Sequence, residues 1–342
     1  MISTSRFNRR SFVLGTSALS ALALGGKAFV PDSVGAQDSS TPSKITLDYA
    51  YYNPSSLVLK EFGWIEEAFA EDGTEFEWIH SAGSNKANEF LRADAIDLGS
   101  TAGAAALLAR ANGSAIQTVY LYSQPEWAAL VAPAGSDITS IQDLAGRSVA
   151  ATKGTDPYFF LLRSLNSVGL SGTDVEVVNL QHADGKVALE RGDVDAWAGL
   201  DPYMAQTELE SGSTLIYRNI DFNSWGFLNA REKFIEEYPD AIVRILEQYE
   251  RARLWIPENL EEAISILARD ASLSEEVAAL ELTERTNLEI SPVPGEIQTE
   301  VLQEIIPIFQ AEDQLQPGAD ADEALATLYA PQFIEQVYTP AS

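Results

Sequence analysis

Strand-like and helix-like runs take turns along the first two thirds of this chain, and that alternation limits its fold more than any other feature. A strand, a helix and a second strand in succession close as a βαβ unit, which predicts mostly parallel sheets flanked by helices. Lys44 to Tyr51 alternates apolar and polar residues as a half-buried strand does. There follow a strand at Glu75 to Ile79, a helix from Ser84 with Ala87, Phe90 and Leu91 on one face, a strand at Ile96 to Gly99, and an alanine-rich helix from Thr101. The pattern restarts with a strand at Arg147 to Ala151, a helix from Asp156, a strand at Val175 to Leu180, a helix at Ala183 to Arg191, a strand at Val194 to Ala198 and a helix from Asp201. Beyond Arg231 the spacing of Ile242, Leu246, Tyr249 and Ala252 is helical, and no further strand is predicted. The chain therefore reads as α/β with two lobes: lobe I from 44–127 and 225–342, and lobe II from 128–224 inserted into it. Two sequential domains are the alternative. Hinges are expected near Tyr122 to Ala128 and Asn219 to Phe227.

Residues 1–36 read as a cleavable export signal. A basic start (Arg6, Arg9, Arg10) precedes a nearly uncharged run from Ser11 to Gly26, and the segment ends in Val34-Gly35-Ala36. The apolar run, about 14 to 16 residues, is shorter than the roughly 20 that span a bilayer, so no membrane insertion is expected. Arg9-Arg10 before Ser11-Phe12-Val13-Leu14 resembles the twin-arginine export signal; an ordinary secretory signal is the other reading. Either route places the mature protein outside the cytoplasm. Residues 37–43 form a polar linker.

The whole chain carries 22 basic and 51 acidic side chains, a net charge of −29. Without residues 1–36 the balance is 18 to 50, or −32, which disfavours nucleic acid and anionic lipid as partners. Lys is scarce, 7 against 15 Arg, a balance consistent with high external salt. With no Cys there is no disulfide framework, thiol nucleophile, Cys-rich zinc site or lipid-modified N-terminal cysteine. Only His80 and His182 offer imidazole.

Four segments place small or polar residues between a predicted strand and a helix, where free N–H groups and the helix dipole favour anions. They are Ser81 to Asn85, Gly99 to Gly103, Thr152 to Pro157, and the Asp201-Pro202 junction. Singly, each is ordinary capping; two from each lobe, at the carboxyl ends of strands, could close on one guest. Tyr51, Tyr52 and Asn53, then Trp197, then Asn223, Ser224 and Trp225 are placed to line the cleft walls. Trp197 fits a cleft wall or plain core equally well. His182 is placed to donate to an anion, or is an ordinary lone histidine. Nucleophile-elbow, Walker, dinucleotide and paired-His zinc motifs are lacking in the mature chain, and no cofactor is expected.

Three segments carry a family resemblance: Ser81 to Gly103 (SAGSNKANEFLRADAIDLGSTAG), Asp143 to Leu162 (DLAGRSVAATKGTDPYFFLL) and Leu189 to Tyr203 (LERGDVDAWAGLDPY). Together they resemble the aliphatic-sulfonate-binding family of ABC-importer solute receptors, relatives of taurine and nitrate receptors. The resemblance runs from Lys44 to at least Arg231. It implies a type II periplasmic-binding-protein fold that delivers a small oxyanion to a membrane permease with its ATPase, and it implies no catalysis. A soluble, monomeric, periplasmic receptor for an aliphatic sulfonate is the expectation; a receptor for taurine, nitrate or another oxyanion is the alternative. An enzyme similar to thiamine-pyrimidine synthases is the third reading, disfavoured by the lack of Cys. The resemblance places ligand donors at Ser84 and Asn85, at Thr101 and Ala102, and at Gly154 with Thr155, with Trp197 and Asp201 on the wall that meets the organic part. Gly83, Ser100 and Lys153 stand beside these donors and are counted with them, Lys153 being placed either to assist or to point to solvent. Tyr52, Asn53, His182, Asn223 and Trp225 complete the expected site. Thr155-Asp156-Pro157 departs from the small residues and His of many relatives, and predicts a narrower pocket. Helix ends acting at contact distance are expected to hold the anion despite the acidic surface, whose charges are screened beyond about 8 Å.

Overall fold

In the computed structural model the described residues are 41–339, so the expected export signal and most of the expected linker lie outside them. The chain enters at β1 (Lys44–Tyr49), in which Ile45 and Leu47 are fully buried. Asn53 then caps α1 (Pro54–Phe62), its Oδ1 accepting from the Ser56 N–H, and Pro54 presets the first turn. Gly63, at φ 64°, ends α1 in the left-handed conformation and starts α2 (Trp64–Ala68). The remainder of this half is β2 (Glu75–His80), α3 (Ser84–Arg92), β3 (Leu98–Ala102), α4 (Gly103–Ala111) and β4 (Ile116–Pro125).

Glu126 and Trp127 carry the chain over to β5 (Ala128–Ala132), followed by β6 (Ser148–Ala151), α5 (Asp156–Ser167), β7 (Glu176–Asn179), α6 (His182–Arg191), β8 (Ala196–Leu200), α7 (Tyr203–Ser211) and β9 (Thr214–Arg218). It returns through residues 219–225 to β10 (Gly226–Arg231). The tail comprises α8 (Glu232–Glu237), α9 (Pro239–Glu258), α10 (Leu260–Ala271), α11 (Glu275–Leu280), β11 (Thr286–Asn287), α12 (Glu296–Gln303), α13 (Ile306–Ala311) and α14 (Ala321–Ala326).

Two sheets result, ordered β11-β4-β10-β3-β1-β2 and β7-β6-β8-β5-β9. In the first, β1 is parallel to β2 and β3, and β10 lies antiparallel between β3 and β4. In the second, β6 is parallel to β7 and β8, and β5 lies antiparallel between β8 and β9. Each sheet thus has four strands running one way and one inserted strand running the other, and in the first sheet the short edge strand β11 also runs against them. The inserted strands, β5 and β10, are the first to follow each crossover, which is why their direction is reversed. Both sheets aim the carboxyl ends of their parallel strands toward the helices that follow, where ligands of such sheets bind.

Three local expectations change. Gly99 to Ala102 is strand rather than loop, and α4 starts only at Gly103. The strand expected at Val194 to Ala198 runs from Ala196 to Leu200, because Gly192 adopts a left-handed turn and the Asp195 carboxylate accepts from the Ser148 N–H before the ladder begins. The tail is not wholly helical: Thr286–Asn287 pairs with Gln124 and Pro125 at the edge of the first sheet. Helix α9 packs on the first sheet through Tyr249 and Tyr120, ring centroids 5.8 Å apart, and Trp255 meets Trp64 at 6.0 Å. The tail also touches the second lobe, where Phe309 of α13 lies 5.0 Å from Phe159 of α5. No helix among the described residues is long and apolar enough to cross a membrane.

Candidate functional site

Between the lobes lies a nearly closed cavity of about 10 Å³, lined by Tyr52, Ser84, Ala102, Trp127, Thr155, Asp156, Pro157, His182 and Leu200. Helix starts dominate this lining. Ser84 is the first residue of α3, Ala102 precedes α4, Thr155 precedes α5, and His182 is the first residue of α6. The opening N–H groups of an α-helix have no partner within the helix and carry the positive end of its dipole. Four such ends of helices at least nine residues long, two from each lobe, meet at one small space.

The ends differ in what they leave free. At α4 the protein uses the donors itself: the Gly103 N–H donates to the Trp225 carbonyl at 3.0 Å, the Ala104 N–H to Ser224 Oγ at 3.0 Å, and the Ala102 N–H to Ser84 Oγ at 2.9 Å. That last bond leaves the Ser84 hydroxyl proton available. Thr155 spends its hydroxyl proton on the Thr152 carbonyl at 2.6 Å, so it would have to donate from its N–H. Tyr52 donates to the Ser100 carbonyl at 3.0 Å and presents its ring edge-on to Trp127, with centroids 5.8 Å apart. Trp127, Leu200, Pro157 and the Tyr52 ring make the remaining wall apolar.

Asp156 is the one carboxylate in the lining. It accepts from Trp127 Nε1 at 2.8 Å and from the Ser224 N–H and hydroxyl, both at 2.7 Å. Burial pushes it up to about 6, and those hydrogen bonds oppose the rise. This cluster ties the start of α5 to both crossover segments. Asn223 adds a brace, accepting from the Ala128 N–H at 2.9 Å and donating to the Asn219 carbonyl at 2.9 Å. Burial raises the Tyr52 phenol well above its usual range and pushes the His182 imidazole down to about 3. The lobes touch directly here: a Cβ built on Gly83 would sit 2.8 Å from His182 Nε2.

Of the sixteen residues expected from sequence, Tyr52, Ser84, Ala102, Thr155 and His182 line the pocket, and Gly83 abuts it through His182. Asn85 and Gly154 line a wider neighbouring opening together with Arg92 and Asn112. The others fall elsewhere. Asn53 and Ser100 serve the first lobe: Asn53 Nδ2 donates to Ser100 Oγ at 2.8 Å, and the Ser100 N–H and hydroxyl both donate to Asp48 at 2.8 Å. Thr101 accepts from Asn229 Nδ2 at 2.7 Å inside the sheet. Trp197 is core, fully buried with Val131, Ala188 and Met204 in the second lobe, its indole filling the space beside Gly185.

Asp201, the fourth expected junction, is turned away from the pocket. It accepts from the Ala205 N–H at 2.8 Å and pairs with Arg285 at 3.1 Å; α6 supplies the fourth helix end instead. Asn223 and Trp225 act at the crossover, and Lys153 is exposed with its N–H donating to Asn179. Sequence reasoning missed Trp127 and Leu200 as lining residues; Asp156 and Pro157, expected to narrow the pocket though not among its sixteen site residues, do line it. Trp127 lay inside the expected hinge and Leu200 one residue before Asp201, so the signals were present but pointed at neighbours.

The NMT1/THI5-like family matches residues 60–263, well over half of the chain. The chain belongs to that family. Two relatives, both named as aliphatic sulfonates-binding proteins, extend the match. The one from Bacillus subtilis 168 is 32% identical over 241 residues, 69% of this chain and 72% of its own length. The one from Escherichia coli K12 is 29% identical over 278 residues, 81% of this chain and 86% of its own length. Among solved structures, the alkanesulfonate-binding protein SsuA of Xanthomonas axonopodis pv. citri bound to MOPS superposes with a TM-score of 0.76 at 23% identity, covering 83% of this chain and 98% of its own. The periplasmic aliphatic sulphonate binding protein SsuA of Escherichia coli gives 0.73 at 26% identity, covering 85% and 93%. The fold of this family member is therefore the two-lobed type of these receptors. A catalyst shares that fold: the desulfurization enzyme DszB gives 0.62 at 15% identity, covering 86% and 98%.

Proposed function

We propose that the chain is the extracytoplasmic solute-binding component of an ABC importer for aliphatic sulfonates. The observation that carries the reading is the meeting of four helix starts, two from each lobe, at one pocket with apolar aromatic walls. Free amides and the Ser84 hydroxyl suit a tetrahedral head with three equivalent oxygens, and Trp127, Leu200 and Tyr52 suit a short hydrocarbon. The names of the two sequence relatives agree with this ligand class. The proposed organisation keeps 1–36 as a cleaved export signal, 44–127 with 225–342 as lobe I and 128–224 as lobe II, a monomer that passes its cargo to a permease and its ATPase. The lack of any Cys argues against thiol chemistry of the kind an enzyme on this fold would use.

A ligand panel tests the reading. Ethanesulfonate, taurine, nitrate and sulfate are titrated into the mature protein by calorimetry and thermal shift, since a ligand at 100 times its Kd adds about 2.7 kcal/mol of stability. Ethanesulfonate is expected to raise the melting temperature most. Tighter binding of nitrate moves the assignment to another oxyanion, and no response to any anion removes the receptor reading.

A further inference from the structure

One pocket atom has chemistry at odds with an anionic guest. His182 Nε2 lies in a side chain only 1% exposed, at the first residue of α6, and has no hydrogen-bond partner. It lines the same pocket as Ser84 and Thr155, and Gly83 of the first lobe packs against it. Its protonation follows from the neighbouring bonds. Thr152 donates its single hydroxyl proton to the Leu180 carbonyl at 2.7 Å, so at 3.2 Å from His182 Nδ1 it can only accept. The neutral ring therefore carries its proton on Nδ1 and turns the bare lone pair of Nε2 to the pocket.

A lone pair at that position repels an oxyanion, whereas an N–H attracts it. No Lys or Arg lines the pocket, and Asp156 is its one carboxyl group, so a buried anion enters without a formal counter-charge. Titratable groups on the elements around His182 are Asp156 and Tyr52 in the lining, Lys153 on the β6–α5 loop with its Nζ 5.9 Å from the Tyr158 ring centre, and, on its own helix, Asp184 and Lys186, the latter paired with Glu190 at 3.4 Å. None of them holds the ring neutral; burial alone does. A negative charge about 4 Å away, at an effective dielectric of about 20, multiplies a histidine's proton affinity about a thousandfold, which offsets that burial.

We propose that His182 takes up a proton as the anion enters, so that its Nε2–H becomes donor and counter-charge in the bound state alone. The proton comes from solvent and adds to Nε2; no other bond forms or breaks. This deepens the receptor reading and rests on it.

The test uses the two-histidine content of the chain, which leaves two imidazoles to resolve by ¹⁵N NMR, with His80→Phe for assignment. Ethanesulfonate is the probe because it has no N–H or O–H of its own. At pH 5 without it, Nε2 of His182 should give the signal of an unprotonated nitrogen; at saturation the signal should move to the protonated position. Calorimetry at pH 5 in buffers of different ionisation heat should return close to one proton taken up. Above the bound-state transition the Kd should weaken about tenfold per pH unit, as one linked proton requires. His182→Gln should bind at least about tenfold more weakly at pH 5, by loss of one charge-assisted bond, with proton uptake abolished. Tight binding with His182 still neutral, or undiminished uptake in His182→Gln, overturns the inference and leaves the receptor reading intact. Failure of every sulfonate to bind overturns both.

Discussion

Gly83 offers a way to separate closure of the lobes from stability of either one. A methyl group there would lie 2.8 Å from His182 Nε2, 3.0 Å from its Cδ2 and 2.9 Å from Asn85 Oδ1, about half an ångström inside ordinary contact. The ring cannot swing away freely, because it is buried and held by Thr152. Overpacking of this size costs about 1–3 kcal/mol. The contact with His182 crosses the cleft and an open form escapes it, whereas Asn85 Oδ1 belongs to the same lobe and is the end of a side chain that can turn aside in either form, so most of the cost falls on the closed form. Gly83→Ala should therefore weaken ethanesulfonate binding by about 5- to 150-fold while the melting temperature without ligand barely changes. Gly185→Ala is the contrast: its Cβ would meet Trp197 Nε1 at 2.6 Å within one lobe, where no opening relieves it. That variant should lower the melting temperature despite the gain in helix propensity. Calorimetry gives the Kd and scanning calorimetry the stability. If Gly83→Ala binds as tightly as the parent, or loses stability as Gly185→Ala does, the closure argument is wrong.

Other expectations follow from buried charge and hydrogen bonding. Arg285 pairs with Asp201 and Glu208 and is 4% exposed; Arg285→Leu leaves the Asp201 carboxylate buried without its partner and should cost about 3–5 kcal/mol in urea unfolding. Asp48, fully buried, is raised to about 6 by burial, above its unfolded value of 3.8. Its folded form holds a proton that the unfolded chain releases, so its contribution is complete below pH 3.8 and is lost as pH rises through 6. Asp48→Asn should therefore gain on the parent by up to about 3 kcal/mol between pH 4 and pH 7, read from denaturant midpoints. Trp127→Phe removes one donor from Asp156 and should cost about 1–3 kcal/mol; no loss would show that the crossover cluster does not brace the lobes.

The two α/β blocks and the largely helical tail were legible because periodicity is a local property. So were three of the four helix starts, since Ser84, the Ala102–Gly103 step and Thr155 each stand at a strand-to-helix junction that a sequence displays. What such junctions do not display is which donors remain free. Ser100 and Thr101 carry suitable hydroxyls, yet Asp48 and Asn229, 52 and 128 residues away, claim them. Trp197 stands among small residues and its side chain falls to the core face of β8, while Leu200, three residues on, reaches the pocket.

Asp201 stands at a junction like the other three, and only the fold shows that its carboxylate accepts from Arg285, 84 positions later. The order of strands and helices is written in neighbouring residues, because each element forms from contacts a few positions apart. The pocket is decided by contacts across 50 to 130 positions, and above all by the approach of Gly83 to His182, which exists only once two separately ordered sheets face each other.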